Sequence, residues 1–257
     1  LMAAYTAVFA GLKHLGPADP EVTRELAEGL RAQLSVEPRV GDFGCGVGAS
    51  ALILAEALPR ARILALDANE PFISRLRASA SDRGFERQIT AVVGDMAAPP
   101  GLDGVVGDLD LIWCESAIYA LGRTRAFSRW RPLLRPGGWL VFSDLVWMQG
   151  PGQRAPAARE FWNREYPDMA DAAQILAEIR AADLMPVDPW VLGRDAWSNY
   201  YEPLRARLGS LAESQECSAV LAQLRADLQR EIDVYDRFGD EVMPSFFQAR
   251  RPTSAAA

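Results

Sequence analysis

Four acidic residues and three glycines make the chemistry-bearing pattern of this chain: Asp42, Asp67, Asp95 and Glu115, with Gly44, Gly46 and Gly48. The glycines fall between Pro38-Arg39-Val40, which leads into a short buried strand, and Ala51–Leu58, which reads as a helix. A strand, a glycine turn and a helix N-terminus together hold a nucleotide-like ligand. Glycine lets the backbone approach closely, and free helix N–H groups face the ligand. Gly44-x-Gly46-x-x-Ala49 satisfies the dinucleotide fingerprint, and Asp67 lies about 20 residues on, where a ribose-binding acid is wanted. The loop alone therefore leaves two enzyme readings open, one using a nicotinamide or flavin and one using adenosylmethionine. A glycine turn that binds nothing is the third, and it leaves three glycines without a purpose to offset their backbone entropy.

The elements that must position these residues follow from the apolar runs. Pro20 opens a helix capped by Asp19, with Val22, Leu26, Leu30 and Leu34 at helical spacing. Residues 61–67, 88–95, 109–115 and 139–146 read as further strands, with Pro136-Gly137-Gly138 as a turn into the last of them. Residues 70–81 and 123–131 read as helices between them. Such alternation means βαβ units, right-handed crossovers and a parallel sheet. Ligands bind at the carboxyl ends of such strands, and Gly44–Gly48, Asp67, Asp95 and Glu115 all fall there.

The second half differs. Residues 155–165 and 168–182 read as helices, and 185–192 as a strand interrupted by prolines. Residues 194–215 and 217–238 read as amphipathic helices, 242–249 as a final strand, and 251–257 as a disordered tail. The organisation is a single domain, 1–257, in three parts: an N-terminal helical flap (1–37), a ligand-binding core (38–192) and a helical cap (193–240) inserted before the last strand.

Composition narrows the partners. The chain has 257 residues, 49% of them hydrophobic, enough for a sizeable core. A net charge of −7 disfavours nucleic acid and anionic membrane surfaces. Lysine is nearly absent. Cys45, Cys114 and Cys217 lack the spacing of a disulfide framework or a zinc site, which suits a reduced, cytoplasmic protein. No secretory signal pattern and no membrane-spanning run is present. One histidine, His14, and no clustered ligand set argue against a metal site, with Asp144 the carboxylate to examine if one exists.

At Val40–Gly48, Asp67, Gly94-Asp95-Met96, Asp108–Trp113 and Leu133–Gly138 the chain resembles the class I S-adenosylmethionine-dependent methyltransferases. The matching blocks span about residues 38–146, in family order and spacing. Asp42, two residues before Gly44, and the run LLRPGGWLVFSD favour this family over dehydrogenases. Around DLIWCESAIYALG and REFWNREYPDM the chain is similar to a small-molecule branch related to the ubiquinone/menaquinone C-methyltransferases. The resemblance implies an α/β, Rossmann-like, seven-stranded sheet with an antiparallel last strand, helices on both faces and a helical cap insertion. It implies S-adenosyl-L-methionine as cofactor and a small molecule as methyl acceptor. It places Gly44, Cys45, Gly46 and Gly48 along the methionine part, Asp42 facing its amino group directly or through water, and Asp67 with Ala68 at the ribose. Asp95 and Met96 would meet the adenine, and Glu115 would lie beside the reactive methyl. An NAD(P)-dependent oxidoreductase and a non-catalytic adenosylmethionine-binding protein are the alternatives. Strand-end carboxylates would repel a pyrophosphate, which disfavours the former.

Methyl transfer from a sulfonium needs alignment and exclusion of water, and a general base only when the nucleophile arrives protonated. Glu115, then His14, then Tyr119 are the candidates. The acceptor is expected in a closed chamber, with the flap hinged at Gly11, Gly16 and Pro17 and with Trp197, Tyr200 and Tyr201 as walls. The alternative is that flap and cap pack behind the sheet or form a homodimer interface.

Overall fold

The computed structural model describes residues 2–102, 104, 106–213 and 218–253. The helices are α1 (Met2–Phe9), α2 (Pro20–Leu30), α3 (Ala49–Ala57), α4 (Glu70–Asp82), α5 (Arg123–Trp130), α6 (Pro156–Glu165), α7 (Ala172–Ala181), α8 (Arg194–Glu213) and α9 (Ala219–Phe238). The strands are β1 (Arg39–Phe43), β2 (Arg62–Asp67), β3 (Ile89–Val93), β4 (Leu109–Cys114), β5 (Leu134–Trp147), β6 (Met185–Pro186), β7 (Trp190–Val191) and β8 (Val242–Arg250). They form one sheet in the order β3-β2-β1-β4-β5-β8-β6, with β7 also on β8. Strands β1 to β5 are parallel, and β8 runs antiparallel between β5 and the β6 and β7 pieces.

Both faces of this sheet are buried, as a parallel sheet requires. Val40, Leu111, Trp113, Val141 and Phe246 point to one face, under α2, α3 and α4. Their alternates Phe43, Ile112, Cys114, Phe142 and Phe247 point to the other, under α5 and α7. Cys45 and Cys114 accordingly belong to opposite faces and are both free thiols, while Cys217 lies outside the described residues. Helix α2 starts as its sequence dictates. The Asp19 carboxylate accepts from the N–H groups of Glu21 (3.0 Å) and Val22 (3.3 Å), with Pro20 at the first helical position.

A third layer covers the carboxyl ends of the parallel strands. Helices α1, α6, α8 and α9 pack there on one another and on Val47, Phe72, Trp147 and Val242. Trp197 and Tyr201 stack with ring centroids 5.1 Å apart and planes 2° from parallel. The Trp197 indole N–H donates to the Val242 carbonyl at 3.1 Å.

Several boundaries differ from the sequence expectation. The sheet has eight strands, because Pro186 and Pro189 lack N–H groups and divide the expected 185–192 strand into two short pieces. Pro136–Gly138 lies inside β5 as an irregularity of register: Leu109 pairs Leu134, yet Leu111 pairs Trp139. Helix α7 starts at Ala172, capped by Asp171, because Ala170 is drawn into a bridge with Val146 of β5. Arg251 is part of the fold, its N–H donating to the Gly138 carbonyl (2.8 Å) and its carbonyl accepting from Gly137 (2.9 Å). Residues 254–257 of the expected tail lie outside the described residues.

One buried ionic cluster ties α5, β5, α6 and α7 together. Arg123 pairs with Asp144 (2.8 Å) and Glu178 (2.6 Å) and donates to the Tyr166 hydroxyl (3.0 Å). The Tyr166 hydroxyl in turn lies 2.9 and 2.8 Å from the two Asp144 carboxylate oxygens. Both Asp144 oxygens are thus engaged in this cluster. We expect Arg123→Ala to lower stability by about 3–5 kcal/mol, because it strands a buried carboxylate. The double variant Arg123→Met/Asp144→Leu should recover most of that loss, and urea unfolding of both variants measures it.

Candidate functional site

The site is built on the turn between β1 and α3. Gly44, Gly46 and Gly48 have φ of 76°, 53° and 88°, in the left-handed region that favours glycine. The N–H groups of Gly44 and Cys45 both donate to the Leu66 carbonyl at 2.9 Å, so β2 sets the orientation of the turn. A Cβ on Gly44 would stand 2.5 Å from the Ala117 Cβ, so glycine here allows the loop after β4 to close on the turn.

Gly48 plays another part. It does not line the cavity, and a Cβ there would meet the Leu76 Cδ1 at 2.1 Å. Its lack of a side chain lets α4 pack on α3, in place of the expected contact with a ligand. Asp42 reaches the cavity indirectly. It is fully buried behind Ser50, whose hydroxyl donates to Asp42 Oδ2 at 3.0 Å. Its other oxygen has no partner, and burial pushes its pKa up to about 8. Ser50 lines the cavity and Asp42 does not, so Asp42 reaches it only through that hydroxyl.

The structure brings the other strand-end acids together. Asp67 Oδ2 accepts from the Gly46 N–H (3.0 Å) and Oδ1 from the Asn69 N–H (2.9 Å). Burial raises its pKa, and those backbone bonds oppose the rise. Asp95 is exposed and holds the next turn through the Ala97 N–H (2.8 Å), and Met96 accepts from the Trp130 indole N–H (2.8 Å). Glu115 accepts from the Thr23 hydroxyl at 3.1 Å on both oxygens and from the Trp113 indole N–H at 3.1 Å. No cation pairs with it among the described residues, and burial pushes its pKa up to about 7, against those hydrogen bonds.

These residues face a cavity of about 900 Å³, which Gly44, Cys45, Gly46 and Ala68 also line. The N-terminal segment forms one wall through Met2, Tyr5, Lys13, His14 and Leu15. Ser116, at φ 55°, carries the junction. Its N–H donates to Ser143 Oγ (2.7 Å) and its hydroxyl to the Pro17 carbonyl (2.9 Å). A Cβ on Gly16 would lie 2.7 Å from the Ser116 Cβ, so Gly16 is an abutment in this conformation. His14 is half-buried, with its pKa lowered by burial and by Lys13, and is neutral at pH 7. Tyr119 lines the cavity, and burial of its phenol raises its pKa, so it keeps its proton.

Of the two added segments, the first supplies the wall and the second, among its described residues, touches it through Leu224 alone. The expected walls Trp197, Tyr200 and Tyr201 are buried in the helical layer and do not line the cavity, because their rings pack on Tyr235 and on one another. Sequence reasoning missed Tyr5, Lys13, Phe72 and Leu224. Phe72 and Leu224 fall on helical apolar faces, and nothing in the pattern of residues 1–16 distinguished Tyr5; Lys13 did carry one signal, being the only lysine of the sequence.

Comparison with known proteins bears on this arrangement. Residues 40–138 match the family model described as a methyltransferase domain. Malonyl-[acyl-carrier protein] O-methyltransferase of Methylococcus capsulatus is 32% identical over 146 residues, 55% of this chain and 50% of that protein. Trans-aconitate 2-methyltransferase of Rhodopseudomonas palustris is 27% identical over 154 residues, 58% of this chain and 56% of that protein. The chain spans about half the length of the curated relatives it matches. A SAM-dependent methyltransferase of Geobacter sulfurreducens, solved with S-adenosyl-L-homocysteine, superposes with a TM-score of 0.80 at 21% identity, covering 97% of this chain and 98% of that one. The fold is therefore that of the class I methyltransferases.

Glu115 supplies a pH test. Its pKa lies near 7 in the folded chain against 4.5 for the free side chain, so the folded state binds more protons between these values. Its contribution is favourable at low pH and is lost as pH rises towards 7 and beyond. Glu115→Gln should gain about 3 kcal/mol in stability relative to wild type between pH 4.5 and pH 8. Ligand-free denaturation curves at the two pH values check this.

Proposed function

We propose that this chain transfers a methyl group from S-adenosyl-L-methionine to a small-molecule acceptor. The observation that carries the reading is the meeting of the Gly44–Gly46 turn, Asp67 and Asp95 in one cavity at the carboxyl ends of β1, β2 and β3. The donor set fits this cofactor. Asp67 keeps lone pairs free for two ribose hydroxyls, Asp95 and Met96 suit the adenine, and Gly44 and Gly46 present bare backbone to the methionine part. Ser50 and the half-satisfied Asp42 behind it suit an ammonium group. Carboxylates in these places repel a pyrophosphate, which disfavours NAD(P).

The bound cofactor supplies a methyl group activated by a positively charged sulfur. The chain's own residues align and enclose. Leu15 lies over Gly46, and the Ser116–Pro17 bond holds the N-terminal segment against the end of β4, narrowing the access of water. For an acceptor that arrives protonated, Glu115 is our first candidate for the base, since a pKa near 7 matches that task. Neutral His14 is the second, and Tyr119, which keeps its proton, is better suited to donating a hydrogen bond.

We read residues 1–37 as the flap, 38–192 as the cofactor core and 193–240 as the cap. We place the protein in the cytoplasm, where the free thiols Cys45 and Cys114 stay reduced, with a homodimer as the assembly to test by light scattering. The sequence blocks support a finer placement near the ubiquinone/menaquinone C-methyltransferases. The names of the curated relatives add malonyl-[acyl-carrier protein] and trans-aconitate to the panel.

Calorimetry is expected to show binding of adenosylmethionine and adenosylhomocysteine and none of NAD. Asp67→Ala should weaken adenosylhomocysteine by about 1–3 kcal/mol through lost ribose hydrogen bonds. Binding of NAD in preference to either would sink the assignment. Mass spectrometry of the acceptor panel for a methyl gain separates an enzyme from a protein that only senses the cofactor.

A further inference from the structure

The cavity is acidic on its floor and carries one full cation on its rim. Among the described residues Asp67, Asp95 and Glu115 line it and no arginine does, although the chain has 27 lysines plus arginines. Lys13 is the only lysine among those 27, and it lies on this rim. It is exposed, and its side chain has no hydrogen-bond or ion-pair partner among the described residues. His14 beside it is held towards its neutral form and adds no second charge.

The position of Lys13 along the cavity follows from its neighbours. The Gly11 carbonyl accepts from Arg75 of α4 at 3.5 Å. Leu15 stands over Gly46, where a Cβ would come within 2.9 Å of its Cδ1. Lys13 thus lies between α4 and the glycine turn. The segment is anchored just beyond it, by Ser116 on the Pro17 carbonyl and by Asn199 on the Ala18 carbonyl (3.1 Å). Elsewhere the cavity presents carboxylates, which repel an anion. A lysine ammonium is a compact charge on a flexible stem, with three rotatable donors, and can meet a carboxylate end-on without the planar registry that arginine needs.

We propose that Lys13 binds a carboxylate at the glycine-turn end of the cavity. The proposal rests on the methyltransferase reading. That carboxylate belongs either to the amino-acid end of the cofactor or to the acceptor, and the two sources separate experimentally.

The test is calorimetry on the full chain, wild type, Lys13→Ala and Lys13→Arg, with adenosylhomocysteine and with its decarboxylated analogue. Malonate and succinate are then titrated into the adenosylhomocysteine-saturated protein. Since Lys13 is exposed and unpartnered, thermal unfolding should show both variants folded as wild type. With the cofactor as source, wild type prefers adenosylhomocysteine over the decarboxylated analogue by about tenfold or more, and Lys13→Ala removes that preference. Lys13→Arg keeps part of it. With the acceptor as source, Lys13→Ala leaves adenosylhomocysteine affinity unchanged and abolishes dicarboxylate binding. Unchanged adenosylhomocysteine affinity together with no Lys13-dependent dicarboxylate binding overturns the proposal. Failure of wild type to bind adenosylhomocysteine is a separate result, and it overturns the underlying reading.

Discussion

The bond from the Gly46 N–H to the Asp67 carboxylate, 3.0 Å long, is the tie on which the site depends. Strands β1 and β2 run parallel in register, so their carboxyl ends finish side by side at Phe43 and Leu66. A turn leaving β1 there must satisfy its own N–H groups. The Leu66 carbonyl takes two of them, and Asp67 takes a third. One side chain thus shapes the turn while keeping lone pairs for a ligand. The same geometry explains why Asp67 stays available for hydrogen bonding despite its burial: backbone donors stabilise the charge that burial disfavours.

Much of this was legible in the residues. The alternation of β-branched and apolar runs with helical spacing located β1 to β5 and the helices between them to within a few residues. The cap of α2 was legible to the residue, because Asp19-Pro20 carries a specific local mechanism. Convergence of Asp67, Asp95 and Glu115 followed from topology, since parallel strands end on one edge. What stayed hidden was which side of a residue faces the ligand. Gly48 and Gly46 look alike as letters. Only the approach of Leu76 to one and of Leu15 to the other assigns Gly48 to packing and Gly46 to the cavity wall. Asp42 was hidden in the same way, because a strand residue two positions from a turn can point into the cavity or beneath it.

The helical layer shows the same limit on a larger scale. The apolar faces of α8 and α9 announced that they bury something, and an amphipathic pattern does not say what. Their aromatic residues bury one another: Trp197, Tyr200, Tyr201 and Tyr235 form one contiguous set of ring contacts. The Tyr201 hydroxyl is satisfied by Glu231 at 2.8 Å, inside the layer. The cavity is left to the short N-terminal helix and the segment after it. These reach the sheet through small residues and carbonyls that carry no pattern at all.

The antiparallel strand has a consequence for how the chain is made. Among the described residues, strands β6 and β7 have no sheet neighbour except β8, and β5 keeps one edge unpaired until β8 arrives. Strand β8 begins at Val242 and also delivers Phe246 to one buried face and Phe247 to the other. During synthesis, the first five strands and every helix leave the ribosome before the strand that seals their shared sheet. The nascent chain therefore carries an open hydrogen-bonding edge on β5 until β8 emerges. Without β8 that edge would stay open.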